Sequence, residues 1–282
     1  VEVLFEGADT NIYQKLDKVV DSEVGDVLDT IDEEFNFLFV GHWLQGELGQ
    51  DRKDIGMLIK TFLETFKGKL KKPGLILKTS SATYSIMDRD EILDKIQKIR
   101  VTVGKDNELP NVYLLHGELE DTEINELYNH PKVKAHVSFT KGEGYGRPLL
   151  EFTLSKKPLI TSGWSGQLDF LDSKLTNLIG GQLTNVHPST KNQFLLPESQ
   201  WFSPDHGEIG FYLRDIFENY KNYTDKAKRQ AFKSKNEFSW DKMKEKLEQI
   251  LIEKIPEFAQ EVKLQLPNLK KIELPKLQKT NG

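Results

Sequence analysis

Five short apolar runs, each followed by a longer amphipathic or polar stretch, constrain this chain more than any other feature. They are 36–41 (NFLFVG), 75–78 (LILK), 111–115 (NVYLL), 134–139 (KAHVSF) and 158–161 (PLIT). Runs this short, apolar on both alternating faces, suit strands covered by helices on either side, which is the habit of parallel sheets. Between them, residues 55–66 place Ile55, Leu58, Ile59, Phe62 and Phe66 on one helical face. Residues 91–101 and 122–128 show similar spacing, so all three read as crossover helices. The expected fold class is therefore α/β: a Rossmann-like parallel sheet with helices on both faces. An all-helical C-terminal extension follows, with helices expected over 207–220, 224–232 and 239–251.

Composition narrows the function classes. The 282 residues are 37% apolar and 10% aromatic, enough to bury a full core. A net charge of −5 gives no general nucleic-acid or acidic-membrane signal, and no apolar run is long enough to cross a bilayer. The absence of cysteine excludes disulfides, thiolate-bound zinc and a thiol nucleophile, and it suits a cytoplasmic protein. The last stretch carries Pro256, Pro267 and Pro275 among lysines and isolated leucines. It cannot continue a helix and is expected to be an extended arm.

The chemistry concentrates in 141–152, KGEGYGRPLLEF. Strand 134–139 runs into Gly142, Gly144 and Gly146, and Pro148 suits the first position of a helix. A strand, a glycine turn and a helix start make an anion site, because unpaired amides point outward and missing β-carbons admit a phosphate to the backbone. In an open parallel sheet such a loop lines the crevice at the carboxyl ends of the strands. Glu143 falls in the loop and Glu151 on the first turn of the helix. The plainer alternative is a simple turn flanked by two solvated glutamates.

The segment EGYGRPLLEFTLSKKPLITSGWSGQLDFL resembles the signature of the retaining GT-B-fold glycosyltransferases, the group that includes glycogen and sucrose synthases. Glu143 and Glu151 stand at its two glutamate positions, and a second glycine turn recurs over 162–166 (SGWSG). FLFVGHW, RKDIGMLIKTF, HGELEDTEINELY and VLFEGADTNIY follow the order of that group's landmarks. The resemblance spans roughly residues 7–251.

It implies the C-terminal, donor-binding half of such an enzyme. On that resemblance Glu151 holds the ribose of a nucleotide sugar, Glu143 meets the transferred sugar, and Gly144, Tyr145 and Gly146 offer amides to the sugar and diphosphate. Lys53 would neutralise the diphosphate leaving group, with Gly41 beside it. Where the group places a second arginine this chain has His42, leaving Arg52 either to replace it or to face water. Lys78, Arg147 and Trp43 are further candidates for the cleft border. No metal ligand set is expected and no metal is strictly required. The implied partners are a nucleotide sugar, an acceptor of undetermined class, and an N-terminal acceptor domain or partner chain.

The implied organisation is a linker over 1–35, a nucleotide-sugar-binding domain over 36–202, C-terminal helices packing on it over 203–252, and a Pro/Lys-rich tail over 253–282. Opening at Val1 rather than methionine, the chain is expected to be a fragment of a longer enzyme or a single domain that borrows its acceptor surface. Two other functions fit the same residues: a non-catalytic nucleotide- or sugar-binding module, and a glycoside hydrolase using Glu143 and Glu151 as acid and nucleophile. Trp201, Phe202, Phe211 and Trp240 read as packing anchors for the terminal helices. His116 and His136 read as satisfied core or crevice residues, and His130 as part of a turn.

Overall fold

In the computed structural model, residues 1–18, 22–44, 48–81, 83–188, 196 and 198–255 are described. Of the tail expected over 253–282, residues 256–282 lie outside the described residues, as do residues 45–47.

Six parallel strands form the main sheet: β1 (Asn36–Val40), β2 (Gly74–Lys78), β3 (Val112–Leu115), β4 (Val133–Ser138), β5 (Leu159–Ser162) and β6 (Asn177–Ile179), in the order β3-β2-β1-β4-β5-β6. Every pairing is parallel, with Leu38 opposite Ile76 on one side and His136 on the other. This is the doubly wound order, and its direction reverses between β1 and β4, where the carboxyl ends of the strands open a crevice.

The sheet stays in register because side chains alternate between two cores. Phe37, Phe39, Leu75 and Leu77 face one cluster, completed by α2 (Ile55–Phe66), α3 (Ile86–Val103) and α6 (His206–Glu218). Leu38 and Ile76 face the other, against α1 (Glu23–Asp29), α4 (Asp121–Asn129) and α5 (Arg147–Thr153). Phe37, Phe39 and Phe62 are fully buried, each contributing roughly 2–3 kcal/mol of transfer free energy. The chain closes with α7 (Lys221–Glu237) and α8 (Trp240–Lys254).

Helix starts follow local side-chain chemistry. Ser85 caps α3 by accepting from the Asp88 amide, and Ser239 caps α8 by accepting from Lys242. Glu120 and Glu123 form a reciprocal capping box on α4. At α2 the N-cap Asp54 is left-handed (φ 54°) and its side chain does not cap the helix; Asp51 Oδ2 accepts the Ile55 amide instead, at 3.1 Å.

Several expectations need correction. Glu151 lies on the second turn of α5, not the first, because the helix begins at Arg147 and Pro148 is its second residue. Phe211 and Trp240 are about half exposed and anchor little, whereas Phe202 is buried. His136 is fully buried but not satisfied, since neither ring nitrogen finds a partner among the described residues. Helix α1, strand β6 and an antiparallel ribbon of β7 (Gly181–Asn185) and β8 (Gln200–Pro204) were not foreseen.

Candidate functional site

The glycine loop joins β4 to α5 at the switch point. Gly146 has φ +98°, a region that side chains other than glycine enter at a cost, so the turn itself requires it. Gly142 and Gly144 are different: a β-carbon on either would meet nothing within 4 Å, and neither has a positive φ. The fold does not need them to be glycine, and the space they leave open faces outward. The amides of Gly144, Tyr145 and Gly146 find no acceptor among the described residues. Tyr145 contributes only its backbone here, because its ring is buried against Phe170.

The second glycine turn braces the first. Ser165 Oγ donates to the Glu143 carbonyl at 2.6 Å and accepts from the Glu143 amide at 3.0 Å. The Gly166 amide also donates to the Glu143 carbonyl, at 3.2 Å. A β-carbon on Gly166 would lie 2.1 Å from the Gly144 carbonyl oxygen, so the two turns meet backbone to backbone.

Opposite the loop, 51–54 (DRKD) turns its acids inward and its bases outward. Asp51 and Asp54 are buried, and Lys141 approaches Asp54 at 3.3 Å. Burial pushes the Asp51 carboxyl up to about 6, against the Ile55 amide that favours its ionised form. Lys53 Nζ donates to Glu143 Oε1. Arg52 Nη1 donates to the Gly142 carbonyl at 2.6 Å and lies 3.3 Å from Glu143 Oε2. Arg52 thus turns to the glycine loop rather than to water alone. Burial lowers the Lys53 pKa while the Glu143 carboxylate opposes that shift. Glu143 is therefore the counter-ion of two bases at the mouth of the loop.

A cleft of about 350 Å³ opens beside this cluster at the carboxyl ends of β1 and β2, bordered by Gly41, His42, Arg52, Lys53, Lys78 and Pro148. His42 Nδ1 lies 3.2 Å from Ser80 Oγ. Lys78 donates to the Gly117 carbonyl, and burial lowers its pKa. Trp43 does not border the cleft. It is buried in the hydrophobic core, and its amide donates to the Ser80 carbonyl.

Glu151 and Arg147 form a separate pair one helical turn apart. Arg147 Nε and Nη2 approach Glu151 Oε1 at 3.2 and 3.1 Å. Burial raises the Glu151 carboxyl to about 7, with Arg147 pulling the other way. The Tyr13 hydroxyl, which donates to Asp121 Oδ1 at 2.8 Å, stands beside this carboxyl. Arg147 thus points neither wholly at water nor freely at a ligand.

The structure brings Glu143, Lys53, Arg52 and Gly144–Gly146 together, with Gly41, His42 and Lys78 along one cleft. Sequence reasoning missed Ser165, although its turn was noticed, and Tyr13, which lies 138 positions from Glu151 and carried no local signal. It also missed that His116 Nε2 pairs with Asp88 at 2.8 Å beneath Tyr84, whose ring borders the cleft.

No protein-family model matches the sequence, and a search of curated proteins finds no match. Solved structures do match. The C-terminal domain of a glycosyl transferase group 1 family protein (LpcC) from Francisella tularensis aligns with TM-score 0.57 at 14% identity, over 83% of this chain and all of that domain. The fold is that of a GT-B C-terminal half. HepE from Anabaena, crystallised with UDP and glucose, aligns with TM-score 0.63 at 14% identity, over 89% of this chain and 57% of its own. Sucrose-phosphate synthase from Thermosynechococcus elongatus gives TM-score 0.60 at 14% identity, over 89% and 52%. This chain therefore spans a little over half the length of those two GT-B proteins, whereas it covers the isolated LpcC domain completely.

Proposed function

We propose that the chain is the donor-binding half of a retaining glycosyltransferase and holds a nucleotide-diphosphate sugar in the cleft at the switch point. The observation that carries this reading is the convergence of Lys53 and Arg52 on a glycine loop with three unpartnered amides and no β-carbon in the way. Cations and amides arranged in this way suit a diphosphate. HepE, which shares the fold, has been crystallised with UDP-glucose.

In the proposed reaction the bond between the anomeric carbon and the diphosphate oxygen breaks, and its electron pair leaves with the diphosphate. Lys53, Arg52 and the loop amides stabilise the charge that develops there, so the reading requires no metal ion. An acceptor hydroxyl attacks the same face of the anomeric carbon, and its proton passes to the departing phosphate oxygen. Glu143 releases its two bases to the diphosphate and turns to the sugar, stabilising the oxocarbenium-like carbon. Glu151 accepts the ribose hydroxyls once Arg147 yields it. The acceptor is supplied by another domain or chain, which would also exclude water. We place the protein in the cytoplasm, in keeping with a cysteine-free sequence; among the described residues no helix is long and apolar enough to cross a membrane.

Calorimetry with UDP-, GDP- and ADP-sugars tests the donor assignment. Saturable binding of one of them, weakened by Lys53→Ala, is expected. Failure of all three to bind would contradict this reading, and release of sugar from an unactivated glycoside would favour the hydrolase reading instead.

A further inference from the structure

A second cavity, of about 490 Å³, opens at the amino-terminal end of the sheet, away from the cleft described above. Four lysines line it, Lys15, Lys18, Lys134 and Lys157, together with Asp17, Asp26 and Asp29. Lys134 is the second residue of β4, and Lys157 precedes β5 by two residues. His136 pairs with Leu159, so Lys134 and Lys157, each two residues earlier in the chain, reach the same end of the sheet. Lys15 joins them from the N-terminal segment, its Nζ 3.3 Å from Asn129 Oδ1.

The aspartates offset this charge only in part. Lys157 Nζ donates to the His130 carbonyl at 2.8 Å, a neutral partner. Among the described residues none of these four lysines forms an ion pair, and Asp29, at the wall of the cavity, is engaged by His130 Nε2 at 3.2 Å. Asp17 and Asp26 stand exposed at the rim. Burial holds the Lys157 pKa well below its ordinary value, and Lys15 and Lys134 lower it further. Burial lowers Lys15 as well, with Asp17 opposing.

We propose that this cavity binds a dianionic phosphate group, free or carried on a small molecule, at a site separate from the nucleotide-sugar cleft. The ammonium groups of Lys15, Lys134 and Lys157 act as point charges that suit a tetrahedral oxyanion without needing the planar geometry of a guanidinium fork. A dianion placed among them converts mutual repulsion into attraction. The volume falls in the range of small-molecule sites and exceeds what phosphate alone fills, so it accommodates a small phosphomonoester.

Thermal unfolding and calorimetry of the full chain with inorganic phosphate, ribose 5-phosphate and ribose test the proposal. Phosphate and ribose 5-phosphate should raise the melting temperature while ribose should not, and the tighter of the two identifies the source of the phosphate group. Lys134→Met should melt higher than wild type without ligand, because repulsion is relieved, and bind at least about tenfold more weakly. Lys15→Ala, at an exposed position, should weaken binding likewise and covers the case in which Lys134→Met does not fold. Arg52→Ala, in the other cleft, should retain the phosphate response. The proposal is overturned if phosphate has no effect on wild type, if both lysine variants respond as wild type does, or if Arg52→Ala abolishes the response.

Discussion

Replacing the loop glycines one at a time with alanine separates what the fold needs from what a ligand needs. At Gly144 a β-carbon meets no protein atom within 4 Å and φ is not positive, so Gly144→Ala should fold normally. Reduced freedom of the unfolded chain should even stabilise it, by about 0.4–1 kcal/mol. At Gly146 the left-handed backbone, φ +98°, should cost alanine about 1–2 kcal/mol. At Gly166 the β-carbon would lie 2.1 Å from the Gly144 carbonyl oxygen, a backbone clash that must separate the two turns and should cost more than either. Ligand affinity should run differently. The methyl of Gly144→Ala occupies the space kept for the diphosphate, so nucleotide-sugar affinity should fall by at least about tenfold although stability does not. Urea unfolding paired with calorimetry on each variant reads both quantities. If Gly144→Ala binds the donor like wild type, the claim that this space is kept for a ligand is wrong. If it loses more than about 1 kcal/mol of stability, the geometry of the loop is wrong.

Glu143→Gln should leave Lys53 and Arg52 free for the diphosphate, so UDP should bind as well as or better than in wild type. Sugar transfer by the complete enzyme should fall by about 100-fold; a parallel loss of UDP affinity would contradict the roles assigned here. His136→Leu should stabilise the protein by about 1–3 kcal/mol, since both ring nitrogens are buried without partners. Burial, and secondarily Lys53, hold the folded His136 at about 3, so below the unfolded value near 6.5 only the unfolded state takes up the proton. Wild-type stability should therefore decline as pH falls from about 6.5 towards 3, and the gap to His136→Leu should widen; a constant gap in denaturant titrations would refute this. Glu151 has the opposite sign. Its folded value, raised by burial to about 7, exceeds the ordinary carboxyl value of 4.5, so its ionised form costs stability above pH 7 and the cost disappears as pH falls through that window. Relative to Glu151→Gln, wild type should gain on the order of 3 kcal/mol between pH 8 and pH 4; a pH-independent difference would show that Arg147 fully compensates the carboxylate.

The parallel sheet was legible because its five longest runs are apolar on both faces, and α2 was bounded correctly by its own periodicity over 55–66. Strand β6, three residues long, is too short to register as a period, and the polar β7 (GQLTN) is largely exposed and has no apolar face to announce it. Helix α1 sits in a segment read as a linker, yet Val24 and Leu28 are buried in the second core. Around the site, Glu143, Lys53 and the glycines could be marked from local motifs, because a loop and a helix start impose fixed residue types. Trp43 was misplaced because it follows the strand that leads into the cleft. Whether its ring turns to the cleft or to the core depends on α2 and α3, which lie elsewhere in the chain. The tie between Arg147 and Glu151 was available from their i,i+4 spacing, whereas the approach of Tyr13 depends on tertiary folding alone.

The account rests on a diphosphate gripped between the glycine loop and the 52–53 bases. A crystal structure with UDP at saturating concentration tests that most directly. It should show phosphate oxygens within hydrogen-bond distance of Lys53 Nζ and the Gly144–Gly146 amides, with Glu143 detached from Lys53. An unfilled cleft with the Lys53–Glu143 pair intact, or UDP bound elsewhere on the molecule, would contradict it.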